Sequence, residues 1–201
     1  MTAPAFRSVL RSAVLAVAFG ACAGCALFGP PPTPDARVAA LAARLDAAET
    51  DSARVVVAQT LLAHAGVTPL AGERFAYGPE TVVAGFVPGR VFGLRDTLVV
   101  VAASLAGPEA AVVLDAARRL VDVATRNEGP RRSVLVALWS PARTPADGLA
   151  DVRAFPLWSR AAVAEVLVAG EAGVPVRPDA AASAALVARV LARAARPFPP
   201  R

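Results

Sequence analysis

The chain of 201 residues has no lysine, one histidine, one asparagine, one methionine, one tyrosine and two cysteines. Each scarcity narrows the chemistry. His64 has no second imidazole to share a metal ion with, and zinc sites are built from several converging nitrogens, sulfurs or carboxylates. All 21 basic residues are arginine, which reads as the codon bias of a GC-rich genome and accounts for a pI near 10.8 at a net charge of only +5. Those arginines are scattered, with only Arg118-Arg119 and Arg131-Arg132 adjacent, and aromatics make up 5% of the chain. Nucleic-acid surfaces cluster cations on one face with interleaved aromatics, so no nucleic-acid partner is expected. Glycine-rich phosphate loops and paired CxxC motifs are missing as well. What is abundant is apolar: 56% of residues are hydrophobic and 18% charged, which excludes a disordered chain and fits one globular domain.

Both cysteines fall in an N-terminal address. Arg7 and Arg11 precede the apolar stretch Ala13 to Phe19, and small residues then run to Ala23-Gly24-Cys25. That order is a secretory signal, too short for a spanning helix. A cysteine directly after Ala-Gly resembles a bacterial lipobox, so residues 1–24 are expected to be a lipoprotein signal peptide and Cys25 the lipidated first residue. Cys22, after Gly20-Ala21, is the second candidate anchor; an ordinary cleaved signal or an uncleaved anchor is the alternative to both. With Cys25 acylated and Cys22 removed no thiol is left, which ends disulfide and thiolate chemistry. The remaining 19 arginines against 16 acids would leave a charge of +3. The run Gly29-Pro30-Pro31-Pro32-Thr33-Pro34 favours an extended tether, giving a second segment over 25–34. Ala26 rather than Asp after Cys25 points to the outer membrane of a two-membrane cell, facing the periplasm.

Residues 35–201 are expected to form a single α/β domain. Pro34 and Asp35 suit a first helical turn, and Val38, Leu41 and Leu45 recur at helical spacing over 35–48. A second helix starts near Asp51, carries Val55, Ala58, Leu61 and Leu62, and stops at Gly66. Thr81 to Val87 and Thr97 to Ala103 read as neighbouring strands joined by a short connection through Pro88-Gly89 and Gly93. Leu98-Val99-Val100-Val101 lacks polar alternation, as expected of a strand covered on both faces. A helix opening at Pro108-Glu109 and ending near Asn127-Glu128-Gly129 leads to the strand Ser133 to Trp139, so 97–139 is a βαβ unit. Residues 140–152 read as a loop beyond the carboxyl end of that strand, the edge where open α/β sheets bind ligands. A strand at Val163 to Ala169 and a closing helix from Pro178 to Ala195 complete a three-layer α/β/α sandwich with a mixed, mostly parallel sheet.

These segments resemble the dinuclear zinc aminopeptidases of the bacterial leucyl aminopeptidase and aminopeptidase Y type. Glu80-Thr-Val-Val-Ala-Gly-Phe-Val-Pro-Gly89 is similar to the family's early strand ending in Pro-Gly. Asp96-Thr-Leu-Val-Val-Val-Ala102 is similar to its next strand, which normally continues into Ala-His-Tyr-Asp. Ala110-Ala-Val-Val-Leu-Asp-Ala-Ala-Arg-Arg-Leu120 resembles the helix after its Asp-Asn-Ala-Ser-Gly metal loop. Arg132-Ser-Val-Leu-Val-Ala-Leu-Trp139 resembles the strand delivering its Glu-Glu pair, and Arg153-Ala154-Phe155 its Ser-Arg-Ala-Phe stretch. The resemblance covers roughly residues 50–170 and implies a zinc-exopeptidase-like fold.

It also marks where the metal ligands should stand. Ala103 replaces the first metal histidine, with Ser104-Leu105 in place of Tyr-Asp. The loop for the bridging aspartate is reduced to Ala106-Gly107-Pro108. Ser140-Pro141-Ala142-Arg143 stands where the base and ligand glutamates would be, and Val168-Ala169-Gly170 where a further aspartate would fall. Arg143 stays protonated and would repel a dication. His64, in the second helix beside Gly66, is expected to be a partly exposed helix-end residue. No catalytic residue, metal ligand or cofactor is therefore expected. Ala102-Ala-Ser104-Leu-Ala106 is the enzyme alternative, a nucleophile elbow with alanines for glycines; it would need a histidine and an acid beside Ser104. The expected function is that of a lipid-anchored envelope domain binding a peptide or an envelope protein, with a metal-independent hydrolase or a structural envelope lipoprotein as alternatives.

Overall fold

The computed structural model describes residues 31–70, 74–77, 82–94, 97–153, 162–169 and 177–197. Cys22, Cys25, the signal segment, Glu80, Thr81, Asp96, Ala154-Phe155 and Gly170 lie outside them. Contacts divide the chain at Thr33, and the core described below falls within the compact unit Pro34–Arg201.

Two helices come first. In α1 (Pro34–Asp46) the proline and Asp35 occupy the first turn, and Val38 and Leu45 are buried. Helix α2 (Asp51–His64) is capped by Thr50, whose hydroxyl accepts from the Ala53 amide at 3.1 Å, and buries Val55, Ala58, Leu61 and Leu62. Gly66, at φ 76°, turns the chain where a Cβ would be strained. Two short strands that the apolar pattern did not reveal follow, β1 (Thr68–Pro69) and β2 (Ala76–Tyr77). Then come β3 (Val82–Val87), β4 (Thr97–Ser104), α3 (Glu109–Thr125), β5 (Ser133–Trp139), α4 (Pro145–Arg153), β6 (Ala162–Val168) and α5 (Ala180–Ala195).

The six strands form one mixed sheet in the order β1-β3-β5-β4-β6, with β2 also on β3. β5, β4 and β6 are parallel, and β1, β2 and β3 join antiparallel. The α/β class, the parallel centre and the β4-α3-β5 unit are those expected from the sequence. Two expectations are corrected. β3 and β4 are not neighbours: β5 lies between them, pairing Val82 with Trp139 on one side and Ser104 with Trp139 on the other. The connection after β3 runs instead to the entry of β5, where the Arg90 and Val91 amides donate to the carbonyls of Pro130 and Arg131. Nor is 140–152 all loop, since α4 occupies most of it.

Period-two alternation sorts the strand side chains onto two faces. Val83, Val87, Val99, Val101, Ala103, Val134, Val136 and Leu138 pack in one apolar cluster with residues of α1, α2, α3 and α5. Val82, Ala84, Val100, Ala102, Leu135, Ala137 and Trp139 form the other with Val152 of α4. Helix α3 is the centre of the first layer. Ala110 to Ala117 and Leu120 are all buried on it, because it packs on the sheet and against α1, α2 and α5. Its Asp115, 1% exposed, accepts from Arg119 Nε at 2.6 Å and from Ser183 Oγ of α5 at 2.7 Å, with Arg118 Nη2 at 3.4 Å. Burial raises the Asp115 pKa, but the hydrogen bonds from Arg119 and Ser183 and the charges of Arg119 and Arg118 outweigh it, so the carboxyl sits below its ordinary value. Among the described residues no helix is long and apolar enough to cross a membrane.

Candidate functional site

The parallel strands β4, β5 and β6 end together, so the residues after them share one edge of the sheet. Ser104 closes β4 opposite Trp139. Its hydroxyl accepts from the Ala106 amide at 3.1 Å, a local turn bond rather than an activated nucleophile's. The Leu105 amide donates to the Trp139 carbonyl at 2.9 Å, and the Ala169 amide to the Ala102 carbonyl at 2.8 Å. These bonds hold the segments that follow the strands side by side.

Their side chains do not make a metal centre. Ala103, Leu105 and Ala169 are buried, Ala103 facing the helix layer. Ser140 is buried in a tight turn, its hydroxyl accepting from the Ala142 amide and its carbonyl from the Arg143 amide. Arg143 then reaches across α4 to Asp151 with two bonds of 2.8 Å, Nε to Oδ2 and Nη2 to Oδ1. This bidentate fork is the geometry guanidinium and carboxylate prefer. The hydrogen bonds it donates to Asp151, and the charge of that carboxylate, push the Arg143 pKa above its already high ordinary value. Asp147 is taken up by the helix start, receiving the Thr144 hydroxyl at 2.8 Å. Both acids of α4 are thus engaged, one by a permanent cation, and among the described residues no group of three His, Cys, Asp or Glu stands close enough to hold a metal ion. The described residues do not fit a zinc pair.

Trp139 completes this edge. It is 2% exposed, its indole lies against Gly148 of α4, and its Nε1 is buried without a hydrogen-bond acceptor among the described residues. A Cβ on Gly148 would stand 2.5 Å from Cδ1 and 2.6 Å from Cδ2, so glycine is needed here for close approach and not for its backbone angles.

His64 belongs to the other end of the molecule. It is exposed in the last turn of α2, two residues before Gly66, which lines a cleft with Val87. Val87 pairs with Val134 at the entry of β5, five residues before Trp139, or about 16 Å along the strand. Ser104 and His64 therefore cannot form a nucleophile and base, which need to be within hydrogen-bond reach. The cleft itself, about 400 Å³, opens between the Pro88-Gly89-Arg90 turn and the end of α3 at Val121, Thr125 and Asn127. Asn127 adopts φ 62°, a left-handed conformation asparagine tolerates better than most residues. Nothing in the sequence marked this cleft, because its walls are backbone turns and side chains from separate segments, Arg90, Thr125 and Asn127 among small apolar ones, with no contiguous motif. No family model matches the chain, and no curated protein does.

Proposed function

We propose that the chain is a lipid-anchored, extracytoplasmic domain built on a degenerate three-layer, zinc-aminopeptidase-like fold, which acts by binding rather than catalysis. The observation that carries this reading is the Arg143–Asp151 fork at the end of β5, where the resemblance calls for the base and ligand glutamates. A guanidinium there occupies the Asp151 carboxylate and repels a dication. Ala103, Leu105 and Ala169 supply no donor at the other expected positions. The resemblance over residues 50–170 supports a scaffold inherited without its chemistry, and Ala23-Gly24-Cys25 supports the anchor.

Metal analysis of the purified full chain from zinc-supplemented cells tests the loss of function. Zinc far below one ion per chain is expected. Near-stoichiometric, tightly held zinc, or aminopeptidase activity abolished by chelation, overturns the proposal. Palmitate labelling tests the anchor separately: label should vanish in Cys25→Ala. Loss in Cys22→Ala alone moves the anchor, and an unlabelled parent chain removes it.

A further inference from the structure

The amino ends of β4 and β5 carry a surface that neither the fold nor the strand-end site requires. Phe92 sits in a single 3₁₀ turn, Phe92–Leu94, and is 84% exposed, the most exposed large apolar side chain among the described residues. Arg90, Arg131 and Arg196 are exposed at the same end, and none has a described carboxylate as an ion-pair partner. The turn is held in place from beneath. Arg132, 3% exposed, donates through Nη1 to Thr97 Oγ1 and through Nη2 to the Arg196 carbonyl at 3.0 Å. Thr97 in turn donates to the Leu94 carbonyl at 2.7 Å. A buried guanidinium thus ties the 3₁₀ turn to the end of α5, beneath an exposed aromatic and three exposed arginines that have no described carboxylate as an ion-pair partner.

We infer that this pole is a docking surface for an anionic phospholipid bilayer, with Phe92 entering the interface and Arg90, Arg131 and Arg196 facing lipid phosphates. An aromatic with flanking arginines matches the two attractions such a surface offers, apolar burial and a negative potential. Arginine's planar fork suits phosphate and stays charged at any physiological pH. An acidic protein could satisfy the same cations, and competition with the vesicles reads that outcome. The pole stands independently of Cys25: it is carried by described side chains, and its test does not read acylation.

Phe92→Trp in the full chain, with parent fluorescence subtracted, reports the site directly, because the position is exposed and its replacement disturbs no core. Vesicles of phosphatidylglycerol with brominated acyl chains should quench the added tryptophan, whereas brominated phosphatidylcholine should not. Val56→Trp, 60% exposed on α2, serves as the control and should stay unquenched. Adding Arg90→Ala and Arg131→Ala should weaken partitioning about fivefold per arginine, and raising the salt should weaken it too. Four results overturn the inference: an unquenched position 92 on vesicles that bind the chain, equal quenching at positions 56 and 92, indifference to lipid charge, or a soluble acidic protein displacing the chain from the vesicles. Failure of palmitate labelling alongside quenching at position 92 would remove the anchor and leave this surface intact.

Discussion

Asp115 offers the sharpest test of how the helix layer is held. Its carboxylate is buried between α3 and α5 and receives Arg119 Nε at 2.6 Å and Ser183 Oγ at 2.7 Å. Asp115→Ala would strand both donors, a guanidinium and a hydroxyl, in a helix junction that the rest of the chain keeps tight. Removing one partner of a fully buried ion pair costs about 3–5 kcal/mol; here the side chains of Arg118 and Arg119 retain partial contact with water, so the lower end, about 3 kcal/mol, applies. Ser183→Ala removes one hydrogen bond to a charged acceptor and should cost about 1.5 kcal/mol. With a urea slope of about 2 kcal/mol/M, the unfolding midpoint should fall by about 1.5 M for Asp115→Ala and by half that for Ser183→Ala. Urea titration followed by far-UV circular dichroism at neutral pH reads both. The sign of the pH dependence follows from the lowered carboxyl pKa. The stabilisation is complete above the unfolded aspartate range, begins to fade as the pH falls below it, and is gone once the pH passes below the native value. Asp115→Asn should therefore flatten the acid limb of stability while lowering the plateau. A midpoint shift under about 0.3 M for Asp115→Ala, or an unchanged acid limb in Asp115→Asn, would refute the argument that this carboxylate is a charged tie.

Two further outcomes bear on the strand-end edge. Gly148→Ala puts a methyl into the Trp139 indole and should destabilise the domain by about 2 kcal/mol and alter the near-UV dichroism of Trp139; Trp139→Leu in the same chain should recover part of that loss, and additive losses would show that the two residues do not collide. A fluorophosphonate probe should leave the full chain unlabelled, because the Ser104 hydroxyl is engaged by a turn amide and His64 lies at the other end of the strands; labelling abolished by Ser104→Ala would restore the hydrolase alternative.

The elements that were legible in the sequence are those whose burial is written in period. Val38 and Leu45, or Val55, Ala58, Leu61 and Leu62, announce a helix because the same side chains that recur at helical spacing are the ones buried. β4 and β5 announce themselves as central strands by having no polar face to offer water. Pairing was not legible in the same way. β3 follows β4's neighbour in space but precedes it in sequence, and the expectation of adjacency rested only on a short connection. What decides the order is that Ser133 to Trp139, buried at every position, gains more from two strand neighbours than from one, so β5 takes the place between β3 and β4. β1 and β2, two residues each, are too short for any period to show.

Helix α4 and the strand-end site teach the complementary lesson. Pro141, Pro145 and Gly148 make 140–152 look like a loop, yet Thr144-Pro145-Ala146-Asp147 is a helix start: Thr144 accepts from the Asp147 amide at 3.2 Å and donates to its carboxylate at 2.8 Å, with proline in the first turn where its missing N–H costs nothing. The signal was local and present; composition masked it. Gly148, the other apparent breaker, is there because Trp139 fills the space a Cβ would take. At the positions where the resemblance places ligands, the residue types themselves are Ala103, Leu105, Arg143 and Ala169, and no packing converts any of these into a zinc ligand. That Arg143 is held by Asp151 is not legible there, because the pair spans a helix whose composition has the look of a loop. Substituting Arg143 to open the site would therefore leave Asp151 and, one helical turn before it, Asp147, with no third His, Cys, Asp or Glu close enough among the described residues, and two carboxylates do not make a zinc site.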